Sequence, residues 1–166
     1  GLDATAKITL NDGSVVNGYI SWDKDIETLE PGEYTVNGVV DYYPYPLIEE
    51  RADPQIYQDV ENDCYYFTSS WPAYGSMSSG YNKIVIRKAD TIAELATAED
   101  ITIWNAHTSG EQMYHVWAPE LHKIGEDWYI YYAASTASNG WGIRCFVLTC
   151  DGEKDITKAE NWKELG

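Results

Sequence analysis

The same phrase occurs twice in this chain. Ala52-Asp53-Pro54-Gln55-Ile56, followed by Tyr65-Tyr66-Phe67-Thr68-Ser69-Ser70, is echoed by Trp117-Ala118-Pro119-Glu120-Leu121, followed by Trp128-Tyr129-Ile130-Tyr131-Tyr132-Ala133-Ala134-Ser135. With Pro54 laid on Pro119 the offset is 65 residues, and at that offset Tyr66 meets Tyr131, Phe67 meets Tyr132 and Ser70 meets Ser135. Repeats somewhat longer than the ~40 to 50 residues of common propeller blades, each of several strands, imply radial repetition about a shared axis. A carboxylate stands at the head of each copy, Asp53 beside one proline and Glu120 beside the other. The axis is where such a fold keeps its site.

Strand signals recur at short spacing after Arg51: Gln55 to Tyr57, Cys64 to Ser69, Lys83 to Lys88, Ile101 to Trp104, Leu121 to Ile124, Trp128 to Ala133 and Ile143 to Thr149. Helix periodicity is absent, so the expected class is all-β with four strands per blade. The stretch from Ala89 to Leu95 reads as the polar loop between the third and fourth strands of a blade. Asp155 to Trp162 repeats the loop-then-Trp ending of Asp90 to Trp104 and is expected to close the second blade. Ahead of these repeats lies a different unit. Ala6-Lys7-Ile8-Thr9-Leu10 reads as a strand ending in the turn Asn11-Asp12-Gly13, Val15 to Trp22 as a second, and Tyr34 to Val40, introduced by Pro31-Gly32, as a third. Tyr42 to Pro46, with Pro44 and Pro46, is a stiff connector. The expected division is therefore residues 1–46, a small β module and linker, and residues 47–166, the blades.

Composition narrows the partners. An apolar share of 44% in 166 residues can bury a core, while 27 acidic against 11 basic residues, net −16, exclude an electrostatic grip on nucleic acid or anionic lipid. No run approaches the ~20 apolar residues of a membrane span, and no basic-then-apolar leader precedes Gly1, so the chain is expected to be soluble and either mature or trimmed. Cys145 and Cys150 sit at odd spacing on one strand and face opposite ways; with Cys64 they are expected to be unpaired, small buried hydrophobes. Seven Trp and fourteen Tyr against two Phe favour rings with a polar handle. Most suit cross-strand pairs, and a minority suit a hydroxylated ligand.

At this point the residues carry a family resemblance. Arg51-Ala52-Asp53-Pro54-Gln55-Ile56, Ile84-Val85-Ile86-Arg87-Lys88-Ala89-Asp90-Thr91-Ile92, and His115-Val116-Trp117-Ala118-Pro119-Glu120-Leu121-His122 followed by Trp128 to Ala134 resemble the first two blades of a glycoside hydrolase family 43 enzyme. The glutamate form of the Trp-Ala-Pro motif resembles the α-L-arabinofuranosidase-like members. The resemblance implies a five-bladed propeller that hydrolyses arabinose- or xylose-containing plant polysaccharides with inversion. Residues 5 to 43 resemble the bacterial immunoglobulin-like modules that accompany secreted carbohydrate-active enzymes, the Pro31-Gly32…Tyr34-Thr35-Val36…Gly38 strand being the most recognisable piece. It implies an extracellular or cell-surface bacterial protein.

Inversion needs a carboxylate that deprotonates a water and a second, protonated one that donates to the leaving oxygen, ~6.5 to 9.5 Å apart. By resemblance Asp53 is the general base; an Asp before Pro also makes an ordinary strand-entry turn. Glu120 invites reading as the second carboxylate. The resemblance instead puts the acid, and the aspartate that orients it, on later blades that this chain does not reach, so Glu120 is expected to bond substrate hydroxyls or neighbouring backbone. Trp71 and Trp117 are candidate pocket walls, with core packing the alternative for Trp117. His107, His115 and His122 lack ligand spacing, and neither metal nor cofactor is expected. The expected partners are a plant polysaccharide or oligosaccharide and the remaining blades of the same polypeptide. The rival reading, from another class, is a non-catalytic carbohydrate-binding or adhesion protein built on degenerate blades.

Overall fold

Alternating and β-branched stretches become strands throughout, thirteen of them among the described residues, and the only helical pieces there are single 3-10 turns. The computed structural model describes residues 2–10, 13–24, 30–41, 43 and 46–165. The chain divides into two compact units, Gly1–Ile48 and Glu49–Gly166, two residues beyond the boundary expected from the connector.

In the first unit β1 (Thr5–Thr9), β2 (Val15–Trp22) and β3 (Gly38–Asp41) form an antiparallel sheet in sequence order. Gly18 sits beneath Ile8 and Val40, and a Cβ there would come within 2.2 Å of Ile8 Cδ1. The expected third strand is corrected. Tyr34, Thr35 and Val36 are not in a strand, because side chains take over the backbone partners a ladder would supply. Asp23 accepts from the Asn37 amide N–H at 2.9 Å and from its side chain at 2.7 Å, and Lys24 donates to the Thr35 carbonyl at 2.7 Å. Asn11 and Asp12 of the expected turn, and Tyr42, Pro44 and Tyr45 of the connector, lie outside the described residues.

The second unit holds two four-stranded antiparallel blades. The first runs β4 (Ala52–Asp59), β5 (Cys64–Ser70), β8 (Lys83–Ala89), β9 (Ile101–Asn105); the second runs β10 (Tyr114–Ile124), β11 (Asp127–Thr136), β12 (Asn139–Cys150), β13 (Lys163–Leu165). A hairpin of β6 (Pro72–Ala73) and β7 (Ser76–Gly80), which the sequence pattern does not announce, is inserted between β5 and β8. The expected polar loop after β8 carries a 3-10 turn at Glu94–Ala96. Trp162 is buried where the second blade closes, its indole N–H held by the Ile156 carbonyl.

The ladders correct the repeat alignment. Each inner strand carries a register shift at its proline, Ser69 lying opposite Asp53-Pro54 and Tyr132 opposite Ala118-Pro119. Ser70 is thus equivalent to Ala133, not Ser135. The first hairpin turn has two more residues than the second, Val60 to Asp63 against Gly125-Glu126, and this slides the second strand by two.

The core lies between the blades. Tyr66, Ile84, Ile86 and Ile103 meet Leu121, Trp128, Ile130, Tyr132 and Leu148 in one cluster. Trp128 receives Tyr57 and Tyr66 edge-on at 5.2 and 5.8 Å, and Trp104 meets Tyr132 at 5.2 Å; such pairs contribute about 0.5–1.5 kcal/mol each beyond burial. Polar bonds cross the same seam. The Gln55 side chain donates to the Leu121 carbonyl at 3.0 Å and accepts its N–H at 2.6 Å. Of the cysteines, Cys64 and Cys150 are buried but Cys145 is exposed, a correction. Phe146, Leu148 and Cys150 share the core face of β12, while Cys145, opposite Ala133, lies on the other face, which no strand covers among the described residues.

Candidate active site

Pro54 and Pro119 lie inside the first, edge strand of each blade, where a bulge accommodates them and the missing N–H costs no ladder bond. Asp53 and Ala118, immediately before the two prolines, both adopt left-handed backbone, with φ of 50° and 46°. The same is true three residues earlier, at Glu50 and His115 with φ of 51° and 56°. Left-handed backbone costs about 1–2 kcal/mol for a side chain with a Cβ, least for Asp and Asn. The strain re-aims the residue at the head of each strand.

In the first blade that residue is Asp53, and it is exposed. Its Oδ2 accepts the hydroxyl proton of buried Ser70 at 2.6 Å, and Ser70 Oγ in turn accepts the Ala118 amide N–H at 2.7 Å. The bulge of one blade is thereby wired to that of the next through a single hydroxyl. Arg51 does not seal the carboxylate. Its guanidinium lies 3.5 Å over the Trp71 ring and 3.6 Å from Asp100.

The other sequence-derived candidates separate. Trp71 is buried beneath Arg51, so the ring face is already taken and the indole supports the loop end of the blade. Glu120 is the ladder equivalent of Gln55, not of Asp53. It is exposed, 3.3 Å from His122 Nε2, on the face of the second blade turned away from the first. With Ala118, Tyr131, Ala133, Ile143 and Cys145 it lines a shallow depression there. Trp117 is half-buried rather than core, in edge contact with Tyr81 at 6.0 Å and 4.4 Å from the His115 ring. His107 is placed elsewhere, against Glu164 at 2.7 Å. No three His, Cys, Asp or Glu among the described residues are grouped to hold a metal ion.

Sequence reasoning missed Ser70 as a partner of Asp53, Gln55 as the tie between blades, and Trp141. Nothing in the sequence neighbours of these residues announces their places.

One carboxylate, exposed and oriented by a hydroxyl at the strained head of an inner strand, can accept a proton from a water. The chain is similar to several known proteins. Over 124 residues the chain is 41% identical to the extracellular exo-alpha-(1->5)-L-arabinofuranosidase of Streptomyces chartreusis, covering 75% of this chain and 35% of that protein. It is 42% identical over 121 residues to the enzyme of the same description from Streptomyces avermitilis, covering 73% and 23%. The crystal structure of an alpha-L-arabinofuranosidase from Lactobacillus brevis matches with a TM-score of 0.65 at 40% identity, covering 75% of this chain and 38% of that one. The chain thus spans about a third or less of the length of these curated relatives. Residues 43–166 match the family model of glycosyl hydrolases family 43, and with the paired bulged blades this makes the chain a member of that family.

Proposed function

We propose that the protein carrying these blades is an inverting glycoside hydrolase of the α-L-arabinofuranosidase type, acting on arabinose- or xylose-containing plant polysaccharides, with Asp53 as the general base. The observation that carries this reading is the Ala118–Ser70–Asp53 relay at the head of the inner strands. A carboxylate whose one oxygen is fixed by a hydroxyl leaves the other to take the proton of a water attacking the anomeric carbon, while a second carboxylic acid protonates the leaving oxygen. The acid and its orienting aspartate belong, on this reading, to further blades, which are the chain's partners. The depression lined by Glu120, Tyr131 and Cys145 supports that assignment, since β10 packs on β4 and β5 in the same manner as a next inner strand would pack there.

Trp117 serves as a substrate contact on the rim, and Glu120 bonds either substrate hydroxyls or the backbone of the next blade. The unit of residues 1–46, read as an immunoglobulin-like module, contributes no catalytic group. The extracellular descriptions of the Streptomyces relatives support secretion of this protein.

The test is hydrolysis of an aryl α-L-arabinofuranoside by the protein expressed at the full length its gene encodes, with the first-formed anomer read by NMR. Inversion is expected. Asp53→Asn should keep the fold and lower kcat by about 10² to 10⁴-fold. A variant within a few-fold of the unaltered protein would remove Asp53 from the role.

A further inference from the structure

Trp141 is 80% exposed, yet it is not loose. Its indole stacks on the His115 ring at 25° and 5.4 Å, and lies 6.2 Å from Trp117. His115 is fixed from below, with Nδ1 hydrogen-bonded to Ser135 Oγ at 3.0 Å, and Trp117 is braced by Tyr81. A large apolar ring held flat to solvent by other rings is an expense a merely structural position avoids, and such surfaces mark contact sites.

Three further facts say what would sit on it. The shelf is joined to the relay at Asp53 through the backbone, because Ala118, whose amide bonds Ser70, directly follows Trp117. Gly140 and Gly142 flank Trp141 along β12 and leave room for the neighbouring side chains: a Cβ at Gly142 would come within 2.7 Å of Asn139 Nδ2, and one at Gly140 within 3.7 Å of His115 Cε1. With a net charge of −16 and no Lys or Arg among the rings, the shelf disfavours an anion, and its ring faces suit a ligand with an apolar C–H face and hydroxyls at its rim.

We propose that the Trp141–His115–Trp117 shelf is a subsite for one neutral pentose ring of an oligosaccharide whose neighbouring residue lies at Asp53. The proposal rests on the hydrolase reading above for the nature of the sugar, but not for its test. Trp141 supplies the stacking face and His115 its support, and the subsite holds the chain's next ring rather than the reacting one. Binding realised away from the reacting centre fixes which bond is presented there.

The test is titration of the purified chain with arabinotriose, and separately with xylotriose and L-arabinose, followed by tryptophan fluorescence and saturation-transfer NMR. A trisaccharide should bind with its proton contacts centred on one non-terminal ring, and L-arabinose should bind at least about tenfold more weakly. Trp141→Ala should weaken trisaccharide binding about tenfold or more, as loss of one aromatic stacking face requires, with Trp141→Phe restoring most of it. Because the residue is exposed, circular dichroism and melting of Trp141→Ala should be unchanged. Equal binding by Trp141→Ala, no binding of either trisaccharide at millimolar concentration, or a Trp141-dependent dimer without sugar binding would each overturn the subsite. Trp141-dependent binding by a full-length protein that hydrolyses no pentoside would leave the subsite standing and remove the hydrolase reading instead.

Discussion

Ser70 carries two connections with one oxygen. It donates to Asp53 and accepts from Ala118, so the hydroxyl sets both the aim of the carboxylate and the spacing of the two bulges. Chained hydrogen bonds of this kind polarise one another and hold a functional group at less entropic cost than a free side chain. Ser70→Ala should therefore lower kcat for arabinoside hydrolysis with little change in KM, while costing about 1 kcal/mol of stability. Steady-state kinetics beside thermal melting reads both, and an unchanged kcat would show that Asp53 needs no such partner. The place of Asp53 at the head of an inner strand was legible because the carboxylate before a proline opens the repeat. Ser70 was not, since its partners lie 17 and 48 residues away and nothing in a serine's neighbours announces them. Trp141 was hidden for a related reason: exposure is a property of the packed sheet.

At the scale of elements, the blades are joined by an apolar seam and a polar tie. Gln55 satisfies both backbone groups of Leu121, a residue with no exposed surface, across the seam. Gln55→Leu keeps the side-chain volume but leaves a donor and an acceptor without partners at about 1–3 kcal/mol apiece, so a loss of roughly 2–6 kcal/mol is expected in chemical denaturation. Glu120→Gln, at the equivalent position on the uncovered face, should stay within about 0.5 kcal/mol. Equal effects would mean the tie contributes nothing. Most strands were readable because tyrosines and β-branched residues alternate between seam and outer face. What was not readable turned on side chains competing with ladders. Tyr34 to Val36 have strand composition, but Lys24 takes the Thr35 carbonyl and Asp23 the adjacent Asn37 amide, from 11 and 14 residues away. The β6–β7 hairpin reads as a serine-rich loop, and its close is set by Gly80, where a Cβ would come within 2.2 Å of the Ala73 nitrogen. The slide of β5 against β11 follows from turn length, which residue matching cannot weigh.

Across the whole second unit, the outer ends of the blades meet at one carboxylate. Glu164 on β13 accepts the Trp104 indole N–H at 2.9 Å and the Gln112 side-chain amide at 3.2 Å, and pairs with His107 at 2.7 Å. Burial pushes this carboxyl up, but the donors from Trp104, His107 and Gln112 outweigh it and hold it below the usual glutamate value of 4.5. A folded-state value below the unfolded one means that folding favours the ionised form. The resulting stability is fully present above the unfolded value and is lost as pH falls through the folded one. Asp23 and Asp155 are lowered in the same sense by Asn37 and Thr157, so acid should weaken the chain at several points. Glu164→Gln isolates one of them, because the other two titrate alike in both proteins. In denaturant melts near neutral pH the variant should be less stable than the unaltered chain, through loss of charge-assisted bonds from His107 and Trp104. As pH falls below the usual glutamate value and through the lower folded one the gap should close, since the native carboxyl then becomes neutral as well. A gap that stays constant from neutral to acid pH would mean that Glu164 fastens the blade ends through packing alone, and that the charge on it is incidental to the seam.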